Sequence, residues 1–152
     1  MKTISKIMVG IIGIMCLFAS LQVKAQDRYG YCTFKKYDNG TNTQYLVISD
    51  PFRNWYETSN GKMTDQEKEA WTASFRAQAN KQVGSQLMRT SDKPVPYRGE
   101  YNHFTSESAC REGITKEVND FNNGHKNAPQ YQDGYPGGKS YYKVIYVYPS
   151  RR

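Results

Sequence analysis

The sequence has few of the residue types that carry most enzyme chemistry. Histidine occurs only twice, as His103 and His125, and neither lies in a motif of a nucleophile or a metal site. The chain also lacks a Gly-x-Ser-x-Gly elbow, a Walker pattern and a His-Glu-x-x-His helix. We therefore expect no catalytic residue, no metal and no cofactor. A small secreted hydrolase using one of the histidines, or an enzyme inhibitor, is the alternative.

Long apolar runs are also scarce, since the only one covers residues 7–21. Basic residues precede it and small residues follow it, up to a junction before Gln26, as in a secretory signal peptide. The run is shorter than the roughly 20 residues that a bilayer span needs, which argues against the alternative of an uncleaved anchor. We expect residues 1–25 to be a signal peptide and residues 26–152 to be one periplasmic or secreted domain. No stable membrane span is expected after cleavage.

Acidic residues are outnumbered, with 14 Asp and Glu against 21 Lys and Arg. Three of the basic residues lie in the predicted signal, so residues 26–152 carry 18 basic and 14 acidic side chains, a charge of +4. The only adjacent basic pairs in that domain are Lys35-Lys36 and Arg151-Arg152. Nucleic-acid binding requires a clustered basic stripe, so we do not expect a nucleic-acid partner.

Cysteine occurs three times, and Cys16 lies in the apolar run that cleavage would remove. Cys32 and Cys110 remain, an even number in a compartment that permits oxidation. Neither lies in a Cys-x-x-Cys pair, which argues against a metal ligand or a redox thiol. Both fall on the apolar side of a predicted element, so we expect a Cys32–Cys110 disulfide in one shared core.

Hydrophobic periodicity predicts the elements of the domain. Residues 29–37 and 44–49 are predicted to form a β-hairpin around a turn-rich segment. Asp50-Pro51 ends the second strand. A capping box, Thr64 with Glu67, begins a helix whose apolar stripe has four-residue spacing and ends at Gly84. That stripe consists of Trp71, Phe75, Ala79 and Val83.

The second half predicts a short strand at 100–104 and a helix capped by Thr105 or Ser106. Residues 85–98 are expected to be a linker. Residues 141–148 are apolar on both faces apart from Lys143, which predicts a strand inside the sheet. The order β-β-α-β-α-β predicts an α+β fold, a two-layer sandwich with a mixed sheet of about four strands and two helices on one face.

Several segments resemble those of small exported bacterial proteins that have no known activity. The resemblance lies in the hairpin after the signal, the Trp and Phe helix, and the stretches at 106–111 and 142–145. Residues 104–109 also resemble the strand-to-helix entry of the sporulation-related repeat, a domain that binds peptidoglycan. The hairpin before the first helix departs from that domain, so the resemblance implies no binding residues.

Aromatic residues are abundant, with 20 among the 127 residues after the predicted signal. Trp55, Tyr56, Tyr131 and Tyr135 lie in polar loops, where flat rings suit sugars, peptides and partner proteins. The alternative is that these rings cover the domain's own core. We expect an exported, non-enzymatic domain that binds a cell-envelope glycan or another protein through these four residues.

Overall fold

The computed structural model describes residues 27–53, 63–97, 103–123 and 140–150, which form five strands and two helices. The strands are β1 (Tyr29–Asp38), β2 (Thr43–Ser49), β3 (Phe52–Arg53), β4 (Val95–Tyr97) and β5 (Tyr141–Val147). The helices are α1 (Asp65–Val83) and α2 (Glu107–Asn123). The α+β class is confirmed. Neither helix of the described residues is long and apolar enough to cross a bilayer.

The strands form one mixed sheet with the order β3-β1-β2-β5, and β4 also pairs with β1. The predicted hairpin is confirmed as the antiparallel pair of β1 and β2. Its turn contains Asn42 at a φ of 49°, in the left-handed region that asparagine tolerates better than most residues. The Asn42 carbonyl accepts the first amide of β5, from Tyr141, at 2.9 Å, so the turn also aligns the parallel pair of β2 and β5.

Helix α1 begins and ends where the sequence predicts. The Thr64 hydroxyl accepts the Glu67 amide at 3.2 Å, and the Glu67 carboxylate accepts the Thr64 amide at 2.6 Å. Gly84 ends the helix at a φ of 73°, a conformation that glycine adopts without steric cost. The predicted stripe faces the sheet, with Trp71, Phe75 and Ala79 buried.

The two helices cover opposite faces of the sheet, so the prediction of one shared face is wrong. Along β2, Tyr45 and Val47 pack in the cluster with α1, whereas Leu46 and Ile48 pack in the cluster with α2. Successive side chains of a strand point to opposite faces, so the two clusters lie on either side of the sheet. The molecule therefore has three layers and two cores, with the central sheet buried between the helices.

This arrangement also overturns the predicted disulfide, because both cysteines are free and buried. Cys32 packs in the cluster with α1 and Cys110 in the cluster with α2, so the sheet separates the sulfurs. Burial raises the pKa of the Cys110 thiol to about 12 and the pKa of the Cys32 thiol further still. Both thiols are therefore protonated and poorly reactive at neutral pH.

Two strand predictions also need correction. β5 pairs only with β2 among the described residues, so it is an edge strand and not an internal one. Residues 95–97 were expected in a linker but form β4, with Pro96 opposite Cys32 at the other edge of the sheet. Proline is tolerated on an edge strand, where its missing amide need not reach a neighbour. Of the strand predicted at 100–104, His103 and Phe104 are described, and Phe104 forms an isolated bridge with Tyr29.

Candidate functional site

A cleft of about 460 Å³ lies where β2 and β5 end, beside α2. β2 and β5 are parallel, so their carboxyl ends meet at one edge of the fold, where open sheets commonly hold ligands. Its volume falls in the range of roughly 300–1,000 Å³ that is typical of ligand pockets. The cleft is lined by Ser49, Asp50, Pro51, Arg111, Ile114, Thr115, Val118, Asn119, Tyr146 and Tyr148.

The sheet side of the cleft is an irregularity in strand pairing. Gly30 pairs with Phe52 and Thr33 pairs with Ile48, so two residues of β1 face three residues between the partner positions. Such an extra residue bends a strand and redirects a side chain, as β-bulges beside functional sites do. Asp50 lies in this irregular stretch and donates its amide to the Val147 carbonyl at 3.2 Å.

Ser49 satisfies the backbone groups that this irregularity leaves without ladder partners. Its hydroxyl accepts the Cys32 amide at 3.0 Å and donates to the Asp50 carbonyl at 2.9 Å. The Ser49 side chain is buried, and a buried backbone amide without an acceptor would cost about 1–3 kcal/mol. Ser49 therefore fixes the backbone from which the Asp50 carboxyl projects.

The helix side of the cleft is a polar and apolar stripe of α2. Positions 111, 114, 115, 118 and 119 recur at three-residue and four-residue spacing, which places them on one face of the helix. Ile114 and Val118 also pack against the core on this side of the sheet, so they anchor the stripe. The Ser106 hydroxyl accepts the Ala109 amide at 3.1 Å, which confirms Ser106 as a cap of α2.

Asp50 and Arg111 are the charged side chains among the described residues that line the cleft, and Glu107 pairs with Arg111 beside it. Arg111 donates from Nη2 and Nε to Glu107 Oε1, at 2.6 and 3.1 Å. Burial raises the pKa of the Asp50 carboxyl, while the Arg111 charge opposes that shift. The formal charges of Asp50, Arg111 and Glu107 sum to about one negative charge at neutral pH. A site of this balance suits an uncharged ligand better than a strongly charged one.

Two tyrosines, one in β5 and one just after it, supply exposed aromatic surface. Tyr146 is 43% exposed and Tyr148 is 66% exposed, and both border the cleft. They are two residues apart on an extended chain, so their Cα atoms are about 6.6 Å apart and their side chains point to the same face of the sheet. Tyr141 is 58% exposed but lies on the face that α1 covers, so it does not border the cleft.

The structure describes few of the candidate site residues that the sequence analysis proposed. Trp55, Tyr56, Tyr131, Tyr135 and His125 lie outside the described residues. His103 is described and does not line the cleft, and its buried Nδ1 has no hydrogen-bond partner among the described residues. The part of the chain that the structure describes has no group of three or more His, Cys, Asp or Glu able to hold a metal.

The sequence reading missed all of the polar and aromatic residues of the cleft. From the sequence, Asp50-Pro51 predicts the end of a strand and residues 141–148 predict a strand that contains Tyr146 and Tyr148, whereas no site is predicted at Arg111 or Asn119. The available signal was Asp50-Pro51, an acidic residue followed by a break at the end of an apolar strand. That signal becomes specific only when a second strand ends at the same edge.

No family model, curated protein or solved structure matches this chain, so the cleft is interpreted from its own geometry.

Proposed function

We propose that this chain is an exported binding domain, and that the cleft between β5 and α2 holds an uncharged cell-envelope glycan. The observation that carries the proposal is the pair of exposed rings, Tyr146 and Tyr148, beside polar groups in one concave site. Sugars present apolar C–H faces and a rim of hydroxyls, so they suit aromatic rings flanked by hydrogen-bonding side chains. The signal-like residues 1–25 support export to the compartment that contains such glycans.

The polar groups match the requirements of hydroxyl recognition. The Asp50 carboxylate accepts hydrogen bonds, the Arg111 guanidinium donates them, and the Asn119 amide does both. The Thr115 hydroxyl donates to the Arg111 carbonyl at 3.0 Å, which leaves its oxygen able to accept. Mixed donors and acceptors with a small net charge favour a neutral sugar over a phosphate or a uronate.

Binding is the function that this site supports best, because the described residues that line it include no histidine or cysteine and the described part of the chain holds no metal-ligand cluster. The loop residues Trp55, Tyr56, Tyr131 and Tyr135 remain candidates for a wider contact with the same glycan. A protein partner is the alternative if the test below shows no glycan binding.

The test titrates the purified protein with a tetrasaccharide of N-acetylglucosamine and measures sedimentation with insoluble cell-wall glycan. We expect Tyr148→Ala and Asn119→Ala each to weaken binding about tenfold, as for contacts at the centre of a site. Tyr141→Ala is the matched control, because it removes an exposed tyrosine of β5 that lies on the opposite face of the sheet. Binding that is absent, or that Tyr141→Ala weakens as much as Tyr148→Ala, would contradict the proposal.

A further inference from the structure

The outer edge of β5 is occupied by two side chains that reach it from the helix on the other face. Gln78 pairs with the backbone of Tyr148, accepting its amide at 2.8 Å and donating to its carbonyl at 3.1 Å. Gln82 donates to the Tyr146 carbonyl at 2.6 Å. Together these two glutamines, which we call the amide clamp, bind the backbone at both cleft tyrosines.

The spacing of the clamp follows from the geometry of the two elements. Gln78 and Gln82 are one turn apart on α1, a rise of about 6 Å. Tyr146 and Tyr148 are two residues apart on an extended chain, a distance of about 6.6 Å. The two intervals match closely, so a straight helix can contact two successive outward-facing residues of a strand.

Both hydrogens of the Gln78 side-chain amide are donated in hydrogen bonds. Its oxygen accepts from Tyr148, and its nitrogen donates to the Tyr148 carbonyl and to the Ser74 hydroxyl at 3.1 Å. This network limits rotation of the Gln78 side chain, and the residue after β5 is thereby held in a ladder-like pair. The same contacts occupy backbone groups that an edge strand otherwise offers to another chain.

We propose that Gln78 and Gln82 are positioning residues of the cleft, which hold the rings of Tyr146 and Tyr148 in the orientation that binds the glycan. This inference rests on the proposed function of the cleft. Tyr148 follows the last residue of β5, Val147, so no β2 partner continues the ladder at its position. The clamp therefore supplies the backbone constraint that the sheet no longer gives, and α1 contributes to a site on the opposite face.

The test compares Gln78→Ala, Gln82→Ala and Gln78→Glu with Gln66→Ala, a control at the amino-terminal end of the same helix. Amide hydrogen exchange at Tyr148 is measured by NMR without ligand, and affinity for the N-acetylglucosamine tetrasaccharide is measured by titration. We expect Gln78→Ala to speed exchange of the Tyr148 amide at least about tenfold, because local opening no longer has to break the hydrogen bonds to Gln78. We expect the same variant to weaken glycan binding about fivefold. Gln78→Glu keeps the acceptor but loses the donor, so an intermediate affinity is expected.

Three results would overturn the positioning role. The first is Tyr148 exchange that Gln78→Ala leaves unchanged, and the second is faster exchange with unchanged affinity. A loss of affinity that Gln66→Ala reproduces would likewise assign the effect to general helix stability. If the unmodified protein binds no glycan, the proposed function fails, and the ring-proton shifts of Tyr146 and Tyr148 in Gln78→Ala then decide the positioning role alone.

Discussion

Replacement of Gly113 by alanine tests the packing of α2 on the sheet, because two opposing effects of known size meet at that position. Gly113 lies within α2, where alanine is favoured over glycine by about 1 kcal/mol. An added Cβ would lie 2.6 Å from Cζ and 3.0 Å from Cε1 of Phe104, well inside contact distance. Crowding of this kind in a packed core costs about 1–3 kcal/mol.

The Phe104 ring has little freedom to withdraw from the added methyl group. Its backbone is tied to Tyr29 by two hydrogen bonds of 2.9 and 3.0 Å, and its ring stacks on Tyr31 at 6.0 Å. The Tyr31 hydroxyl also donates to the Gly113 carbonyl at 3.3 Å. We therefore expect Gly113→Ala to lower the free energy of unfolding by about 1 kcal/mol, with a fall in Tm of about 4 °C.

The assay is urea unfolding followed by circular dichroism, carried out as a double-mutant cycle with Phe104→Ala. In that second background the clash is gone, so Gly113→Ala should stabilise the protein by up to about 1 kcal/mol. The sign of the Gly113→Ala effect thus reverses between the two backgrounds. Stabilisation by Gly113→Ala with Phe104 present would refute the packing described for α2.

Three further predictions follow from single features. Cys32 and Cys110 should resist iodoacetamide in the folded protein, and both should react after denaturation without reductant. If they react only after reductant is added, the two cysteines form a disulfide and the description of them as free thiols is wrong. Asp50→Asn should raise the free energy of unfolding at neutral pH, because burial raises the pKa of the Asp50 carboxyl above its ordinary 3.8 and ionisation then costs stability. Urea unfolding at a series of pH values should show that this gain in the free energy of unfolding vanishes below pH 3.8. A gain that does not depend on pH would contradict the prediction. Thr64→Ala should cost about 1 kcal/mol in thermal unfolding through loss of the cap, and an unchanged Tm would argue against the Thr64–Glu67 capping box.

The sequence predicted local features well because their determinants are neighbours in the chain. Thr64 and Glu67 are three residues apart, and the stripe that begins at Trp71 repeats every four residues, so both follow from helix geometry. The hairpin of β1 and β2 likewise follows from one turn between two alternating runs. These elements depend on few distant contacts.

The layering of the fold was mispredicted although a signal for it was present. Residues 45–48 are apolar at four consecutive positions, which is typical of a strand covered on both faces. Assigning both helices to one face ignored this pattern and placed Cys32 and Cys110 in one core. The parallel pairing of β2 and β5 had no local signal, because most of the domain separates the two strands.

The candidate site depends on that same long-range pairing. Asp50 and Arg111 are 61 positions apart, and neither has a distinctive neighbourhood in the chain. They line one cleft only because β2 and β5 end together and α2 crosses that edge. The amide clamp is equally remote, since Gln78 and Tyr148 are 70 positions apart. Contacts of this separation follow from topology, which periodicity alone does not determine.

The most direct test of the central claim is NMR mapping of the N-acetylglucosamine tetrasaccharide on the labelled protein. The proposed function predicts that the largest shifts fall on the amides of Asp50, Asn119 and Tyr148, and on the ring protons of Tyr146 and Tyr148. Tyr141, on the opposite face, should be unaffected. Shifts that are absent, or that cluster on the face covered by α1, would contradict the assignment of the cleft as a glycan site.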